Sequence, residues 1–251
     1  AMKIAEALRG MGIGSQSLAM DDYFRTVNPR TAPRTPEGDI DFESPACLDM
    51  DLLGKHLNAL ARGEEIHLPR YNFVTRVQSG PIGRPMRLGK DEVVVCEGIH
   101  ALNDDIAAYC PDAFRLYISA RSVVVDGDGQ EIFKGTWMRL LRRLVRDSNF
   151  RGTPAAATLD MWANVRRGEK RFISPFKERA NLMFDSSVPC EVSIMKNFAA
   201  PLRAAVPEGA ERYAEIRSIL PALERFETID PALLAPESML REFIGGGVYS
   251  Y

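Results

Sequence analysis

Acidic side chains follow two segments that have the pattern of buried β-strands. Asp21 and Asp22 come directly after a strand predicted over residues 15–20. Glu97 ends the apolar run 93–96, which is typical of a parallel strand covered on both faces. Ligands of open α/β sheets bind outside the carboxyl ends of the strands, so Asp21 and Glu97 could converge there.

Two carboxylates at such an edge suit phosphoryl transfer from ATP. One can accept the proton of the attacking hydroxyl, and the other can orient Mg²⁺ or its waters. We interpret Asp21 as the candidate base, Glu97 as a Walker-B-type acid, and both as candidate metal ligands. The alternative is that each acid is a solvated turn residue at a strand end.

A basic stretch lies in the second half of the chain. Residues 139–179 contain eleven Lys or Arg against four Asp or Glu, whereas the whole chain has 32 basic and 34 acidic residues. This local excess indicates an anionic ligand. On a helix, several arginines share one face and could hold the oxygens of a transferring phosphoryl group, namely Arg139, Arg142, Arg143 and Arg146, with Arg151 beyond them. The alternative is a solvated helix whose arginines pair with acids, and the few acids nearby weigh against it.

The segment 68–73 interleaves aromatic rings with hydrogen-bonding groups. Tyr71 and Phe73 alternate along it, so a flat base could stack on the rings while polar neighbours read its edge. The spacing fits equally well with one ring in the core and the other on the rim. His100 follows Glu97 closely enough to lie near the site, although a lone histidine is more often structural.

The elements that must position these side chains alternate between helix and strand. Apolar residues recur at helical spacing over 4–11, 48–60 and 213–226, and strands are predicted over 15–20, 93–96, 115–119 and 190–195. A helix over 103–109 joins two of the strands, and 66–73 is predicted as an extended or hairpin segment. The alternation predicts an α/β fold with a doubly wound parallel sheet. Residues 25–45 contain four prolines and are predicted to form a loop or flap.

Composition limits the classes of partner. The balanced charge gives no global cationic field, so neither nucleic acid nor a membrane surface is expected as a partner. The four cysteines form no C-x-x-C pair and the three histidines lack metal-ligand spacing, which indicates a reducing cytoplasm and no structural zinc. No apolar run approaches the roughly 20 residues that cross a bilayer. We therefore expect a folded cytoplasmic protein.

Five segments in this order resemble the uridine kinase and phosphoribulokinase family. They are LAMDDYFR at 18–25, DFESP at 41–45, LPRYNF at 68–73, VCEGI at 95–99 and RRLVRD at 142–147. The similarity covers roughly 1–195 and looks closest to bacterial uridine-kinase-like proteins that carry domains similar to those of threonyl-tRNA synthetase. Residues 238–246 also resemble that subgroup. The resemblance implies a P-loop NTPase-like sheet, a helical Arg-rich lid at about 126–180, and ATP and Mg²⁺ as cofactors.

The resemblance also implies roles in catalysis. Asp21 takes the position of the base near the nucleoside 5′-hydroxyl, and Glu97 that of the magnesium-associated Walker-B acid. The implied lid carries two arginines for the transferring phosphoryl group, Arg142 and Arg146, and two for ATP, Arg143 and Arg151.

Acceptor-binding roles follow from the resemblance in the same way. Glu43 and Tyr71 fall where uridine kinases contact the ribose and the base, and Phe24 occupies a position that is tyrosine in some of them. Arg76 stands where pyrimidine-specific members have a base-reading histidine, which leaves the identity of the base open. Arg166 belongs to the segment that returns to the substrate.

The family pattern opens with a strand and a G-x-x-x-x-G-K-[ST] loop, whose backbone N–H groups and lysine hold the phosphates. These 251 residues contain no such motif. The glycines at 12–14 and 245–247 do not replace it, because neither run is followed by Lys-Ser or Lys-Thr. We expect a truncated sequence that lacks the first strand and the loop, rather than a protein that has given up ATP chemistry.

The predicted function is ATP-dependent phosphorylation of a uridine- or cytidine-like nucleoside at its 5′-hydroxyl. Two alternatives stay open: a kinase of a phosphorylated sugar, as in the phosphoribulokinase branch, and a non-catalytic nucleotide-binding module. We expect a kinase-like domain over 1–198, with a C-terminal helix and tail over 199–251 packed on it. A homo-oligomer is compatible with this prediction.

Overall fold

The computed structural model of the chain describes residues 1–73, 75–80, 83–199, 204 and 213–249. In these ranges the helices are α1 (Met2–Gly10), α2 (Met50–Ala61), α3 (Asp104–Ala107), α4 (Gly135–Phe150), α5 (Ala155–Gly168), α6 (Glu191–Met195), α7 (Ala214–Leu223) and α8 (Arg241–Ile244). The strands are β1 (Gly14–Ala19), β2 (Ile66–His67), β3 (Arg70–Asn72), β4 (Val77–Ser79), β5 (Pro85–Met86), β6 (Glu92–Glu97), β7 (Leu116–Ser119), β8 (Val124–Val125), β9 (Glu131–Phe133) and β10 (Leu182–Asp185). The predicted mixture of helices and strands is confirmed.

The chain forms two compact units. The first comprises Ala1–Tyr117 and Asn164–Leu182, and the second comprises Ile118–Ala163 and Met183–Tyr251. The chain passes from one to the other within β7, α5 and β10. The segment expected to form a lid, about 126–180, is therefore shared between both units. The division expected from the sequence, 1–198 with 199–251, is a different one and stays a prediction.

The first unit contains a parallel strand pair. β1 and β6 run side by side, from Gly14 opposite Glu92 to Ala19 opposite Glu97. α1 packs on β1, where the Ser15 hydroxyl donates to the carbonyl of Ala5 at 2.5 Å. The pair confirms the strands predicted over 15–20 and 93–96 and their parallel direction.

An apolar cluster lies beneath the end of β1. α2 is capped by Asp49, whose carboxylate accepts the Leu52 N–H at 3.2 Å. Its buried face consists of leucines at helical spacing, and these pack in one cluster with residues that end β1 and follow it: Leu53, Leu57, Leu60, Leu18, Met20 and Tyr23. The turn after β1 is thus attached to the core.

β6 is less covered than its sequence suggests. Val93 is 42% exposed and residues 94–96 are half-buried, so the predicted burial on both faces is wrong for this strand. Within the described ranges, β6 pairs with β1 alone. A continuous run of valines reports apolar character, but it does not reveal how many elements cover the strand.

Two antiparallel strand pairs also lie in the first unit, with the β3–β4 hairpin enclosed in sequence between β2 and β5. β2 pairs with β5, and β3 pairs with β4 so that Arg70, Tyr71 and Asn72 face Ser79, Gln78 and Val77. Of the two alternatives predicted for 66–73, the extended one is confirmed, because β2 and β3 each pair with a strand that follows this segment. The turn Met20–Tyr23 packs on β3, which places this hairpin beside the end of β1.

The second unit is mainly helical. α4 contacts α6, α7 and α8, and its residues Leu140, Leu141 and Leu144 are fully buried. Residues 190–195, predicted as a strand, form helix α6, so that prediction is wrong. Glu191 and Ile194 are buried at helical spacing, and this tertiary burial outweighs the local preference of β-branched residues for a strand.

Candidate active site

The two candidate acids lie at the same end of the parallel pair. Glu97, the last residue of β6, is opposite Ala19, the last residue of β1. Asp21 follows two residues later in the 3₁₀ turn Met20–Tyr23. Both acidic residues are exposed. The register therefore brings Asp21 and Glu97 to one edge of the sheet, where ligands of such sheets bind.

Gly98 allows the segments after the two strands to pack together. A Cβ atom at position 98 would lie 2.6 Å from the Cβ of Met20, closer than real Cβ contacts. Met20 is itself buried, so the turn that carries Asp21 is held between the core and the end of β6. The glycine after Glu97 has this packing role.

The turn after β1 is further anchored by its other polar residues. The Asp22 carboxylate accepts the N–H of Tyr71, and burial raises the pKa of Asp22 against the effect of this bond and of the Arg70 charge. The buried Tyr23 hydroxyl forms a 2.7 Å hydrogen bond with Nδ1 of His56, whose pKa is lowered by burial. Asp22 and Tyr23 thus support the position of their neighbour Asp21.

Three aromatic rings cluster beside this turn. The Phe24 centroid lies 5.5 Å from that of Tyr71 and 5.9 Å from that of Phe73, and the Tyr71 and Phe73 centroids are 5.0 Å apart. Tyr71 is 9% exposed and Phe73 is 53% exposed. Of the two possibilities left open by the sequence, the core-and-rim arrangement is the one observed, and the exposed ring remains available to a ligand.

Arg76 borders the ring cluster. Its guanidinium lies 4.9 Å from the ring centroid of Phe42, and its charge opposes the burial that raises the pKa of Tyr71. Its backbone is in the left-handed region with φ 56°, which is unusual for a residue other than glycine, and its carbonyl accepts the N–H of Val27 at 3.2 Å. A cationic donor is therefore fixed at the margin of the rings.

The predicted flap is attached to the end of α5. Arg167 forms ion pairs with Asp41 at 3.2 Å and with Glu37 at 3.3 Å. Glu43 packs directly on Gly168, where a Cβ atom would lie 2.3 Å from the Cβ of Glu43. These contacts place Glu43 against the helix end.

The sequence pointed to Arg166 as the arginine that returns to the substrate. In the structure Arg166 pairs with Glu169 on its own helix, and it is the next residue, Arg167, that reaches the flap. Arg167 belongs to the same basic stretch, and its position in the sequence did not distinguish it from Arg166. The contact of Arg167 is explained by Asp41, an acid that is only 4% exposed and therefore needs a cationic partner.

His100 lies deep in the same region. It is 1% exposed, and its ring is 6.3 Å from that of Phe172 in an edge-to-face arrangement. Burial lowers its pKa. Its burial fits the structural role that its sequence context left open.

Three arginines in or directly after α4 share one acid of the second unit. Asp147, whose side chain is 4% exposed, lies 2.9 Å from Arg146, 3.5 Å from Arg143 and 3.8 Å from Arg151. One buried carboxylate thus serves three arginines. The expectation that too few acids lie near this stretch is wrong.

Arg142 is paired even more fully. Its guanidinium binds both carboxylate oxygens of Glu191, with Nη2 to Oε2 at 2.6 Å, and also donates to the carbonyl of Ser186 at 2.7 Å. The side chain of Glu191 is 0% exposed. Glu191 lies 49 residues away in the chain, so spacing within the basic stretch did not reveal it.

The acidic edge fits a magnesium ion held jointly with a substrate. Mg²⁺ keeps several waters and usually takes one or two protein carboxylates together with phosphate oxygens, which matches two exposed acids at adjacent strand ends. Among the described residues, no three His, Cys, Asp or Glu side chains come together as an all-protein metal site. In the same part of the chain, no helix has the length and apolar character needed to cross a membrane.

Comparison with known proteins identifies the family of this chain. Residues 2–193 match the model of the phosphoribulokinase / uridine kinase family. Similar proteins include a uridine kinase of Halobacterium salinarum, 26% identical over 71% of this chain and 71% of its own length. Others are uridine kinases of Deinococcus deserti, 29% identical over 72% and 77%, and of Staphylococcus haemolyticus, 26% identical over 70% and 76%. The chain belongs to the phosphoribulokinase / uridine kinase family.

Proposed function

We propose that this chain binds a nucleoside and supports transfer of the γ-phosphoryl group of ATP to its 5′-hydroxyl. The observation that carries the proposal is the attachment of the ring cluster to the acidic edge. The Tyr71 N–H donates to Asp22, the immediate neighbour of Asp21. A base on the rings would therefore hold its sugar near the carboxylate that must receive the hydroxyl proton.

The roles at the acidic edge follow from position and charge. Asp21 accepts the proton of the attacking hydroxyl, and Glu97 and Asp21 serve Mg²⁺, which neutralises charge on the phosphates when bound. Glu43, which packs against Gly168, is proposed to hydrogen-bond the ribose. Because the reaction needs little covalent chemistry from the protein, catalysis rests on positioning and electrostatics.

The base is assigned to the ring cluster. Phe24 and Tyr71 supply flat apolar surface, and Arg76 offers donors at its margin. Arg166, at the end of α5, is proposed to contact the same substrate. Aromatic surface with a polar margin suits a nucleoside better than a phosphorylated sugar.

The arginines of α4 are proposed for the phosphate side. Arg142 and Arg146 would contact the transferring phosphoryl group, and Arg143 and Arg151 would contact ATP. Each of them would have to exchange an acidic partner, Asp147 or Glu191, for a phosphate oxygen. The side chain of Arg151 is 46% exposed and its 3.8 Å ion pair is the longest of the four, so it is the arginine most readily exchanged.

The test compares acceptors. The chain is fused behind a strand and a G-x-x-x-x-G-K-[ST] loop, supplied with ATP and Mg²⁺, and assayed with uridine, cytidine and a pentose phosphate. Phosphorylation of the nucleosides is expected. In parallel, calorimetric titration of the unfused chain measures nucleoside binding without the donor. Transfer to the pentose phosphate alone, together with no heat of nucleoside binding, would overturn the proposal.

A further inference from the structure

Gln78 lies in β4 directly opposite Tyr71. The Tyr71 N–H donates to the Asp22 carboxylate, and the Gln78 N–H donates to the Thr26 hydroxyl at 3.0 Å. Neither N–H group donates to the opposite strand of the hairpin, so Tyr71 and Gln78 form a non-hydrogen-bonded pair. In such a pair the side chains share one face and lie closer together than in a hydrogen-bonded pair. The amide of Gln78 therefore belongs to the face that carries the Tyr71 ring.

The amide nitrogen of Gln78 is buried and, within the described residues, has no hydrogen-bond partner. Buried donors in native proteins are almost always satisfied, by protein, water or a ligand. A donor of this kind beside the ring cluster can be satisfied by an acceptor that a ligand brings to it. Nothing in the spacing of the sequence distinguished Gln78 from its neighbours.

We propose that Gln78 is a specificity-determining residue that donates to a carbonyl oxygen at the edge of the bound base. This inference rests on the proposed nucleoside acceptor. It predicts preference for a base that carries an oxo group at the contacted edge, as uracil does at O4, over one with an amino group there, as in cytosine.

Arg76 supplies the reason for the direction of this preference. The amide of Gln78 could rotate to present its oxygen to an amino group, so alone it would accept either base. Arg76 precedes Gln78 in the same hairpin and its charge acts on Tyr71, so it lies near the same edge. A guanidinium has donors and no acceptor, and it therefore favours the carbonyl-rich edge of uracil.

The test is calorimetric binding of uridine and cytidine to the 251-residue chain and its variants. The wild type is expected to bind uridine about tenfold more tightly than cytidine, the ratio that corresponds to one neutral hydrogen bond at the upper end of its usual contribution. Gln78→Glu replaces the donor with an acceptor, which suits the cytosine amino group. It should shift the ratio toward cytidine by at least about tenfold.

Asn72→Asp provides the matched control. It introduces the same charge change on the opposite face of the same hairpin, and an aspartate can still accept the Thr75 N–H that Asn72 accepts now. Its uridine-to-cytidine ratio should equal that of the wild type. Gln78→Met, which removes the amide at similar volume, is the second variant if Gln78→Glu does not fold. It should bring the affinities for uridine and cytidine closer together.

The outcomes separate this inference from the proposed function. A ratio that is unchanged in both Gln78 variants while uridine still binds would overturn the role of Gln78 and leave the nucleoside acceptor standing. Equal loss of both ligands would indicate a structural role and would also overturn it. If the folded wild type binds neither nucleoside, the acceptor assignment and the inference fail together.

Discussion

Glu43 rests directly on the backbone of Gly168. A Cβ atom at position 168 would lie 2.3 Å from the Cβ of Glu43 and 2.9 Å from its Cγ. The side chain of Glu43, the flap residue proposed to bind the ribose, thus contacts the backbone of the last residue of α5. The closeness leaves no room for any other residue at 168, so the contact can be tested by a single methyl group.

Gly168→Ala should therefore disturb the acceptor side. The added methyl forces Glu43 away from the helix end, and overpacking of this kind costs about 1–3 kcal/mol of unfolding free energy. Chemical denaturation measures the stability, and calorimetry measures the weakened nucleoside binding. Gly10→Ala is the control, because a Cβ atom there meets nothing within 4 Å. Equal effects of the two substitutions would contradict the contact.

Asp21→Asn should abolish most of the transfer activity of the loop-fused chain. The amide keeps the shape of the side chain but cannot accept the hydroxyl proton, and a general base contributes at least about a hundredfold to turnover. The comparison is kcat with uridine at saturating ATP and Mg²⁺. Asp51→Asn, whose parent side chain is 84% exposed in α2, serves as the control and should retain full turnover. Normal turnover in Asp21→Asn would remove Asp21 from the proposed base role.

Arg142→Met should destabilise the second unit strongly. The substitution leaves the carboxylate of Glu191, 0% exposed, without its bidentate partner, and breaking a buried pair typically costs about 3–5 kcal/mol. Denaturant titration measures the loss of unfolding free energy relative to the wild type. The double variant Arg142→Met with Glu191→Leu should recover part of that loss. By comparison, Arg62→Ala removes a surface pair with Glu64 and should change stability little. A stable Arg142→Met protein would favour the lid role over the structural one.

Stability should fall on mild acidification because of buried histidine. Burial lowers the pKa of His100 in the folded chain below its unfolded value near 6.5, so the unfolded state binds a proton first as the pH falls. This contribution to stability is fully present above pH 6.5 and is lost as the pH drops toward the folded pKa. The slope for one proton is at most about 1.4 kcal/mol per pH unit.

His100→Gln should flatten the dependence of unfolding free energy on pH between about 7 and 5. Burial also lowers the pKa of His56, which remains in the variant. The unfolding free energy of the variant should therefore still decrease somewhat as the pH falls. Denaturation curves at several pH values give the comparison. An identical slope in wild type and variant would show that His100 titrates alike in both states.

Much of the acceptor side could be predicted from local pattern. Apolar runs predicted β1 and β6, and the acids after them marked the candidate edge, because strand direction and ligand position are linked in parallel sheets. The extended segment that carries Tyr71 was also predictable. Gln78 and Arg167 were not, because their significance depends on an unpartnered amide and on acids that come from other parts of the chain.

The sequence by itself determined the family and the order of the candidate residues, since both are properties of segments read in line. The tertiary structure decided which charges are already paired. Asp147 and Glu191 hold the arginines of α4, and no spacing rule within a helix could reveal a buried carboxylate 49 residues away from Arg142. The reason is physical: a pattern records which groups a chain carries, whereas burial and ion pairing depend on which groups meet when it folds.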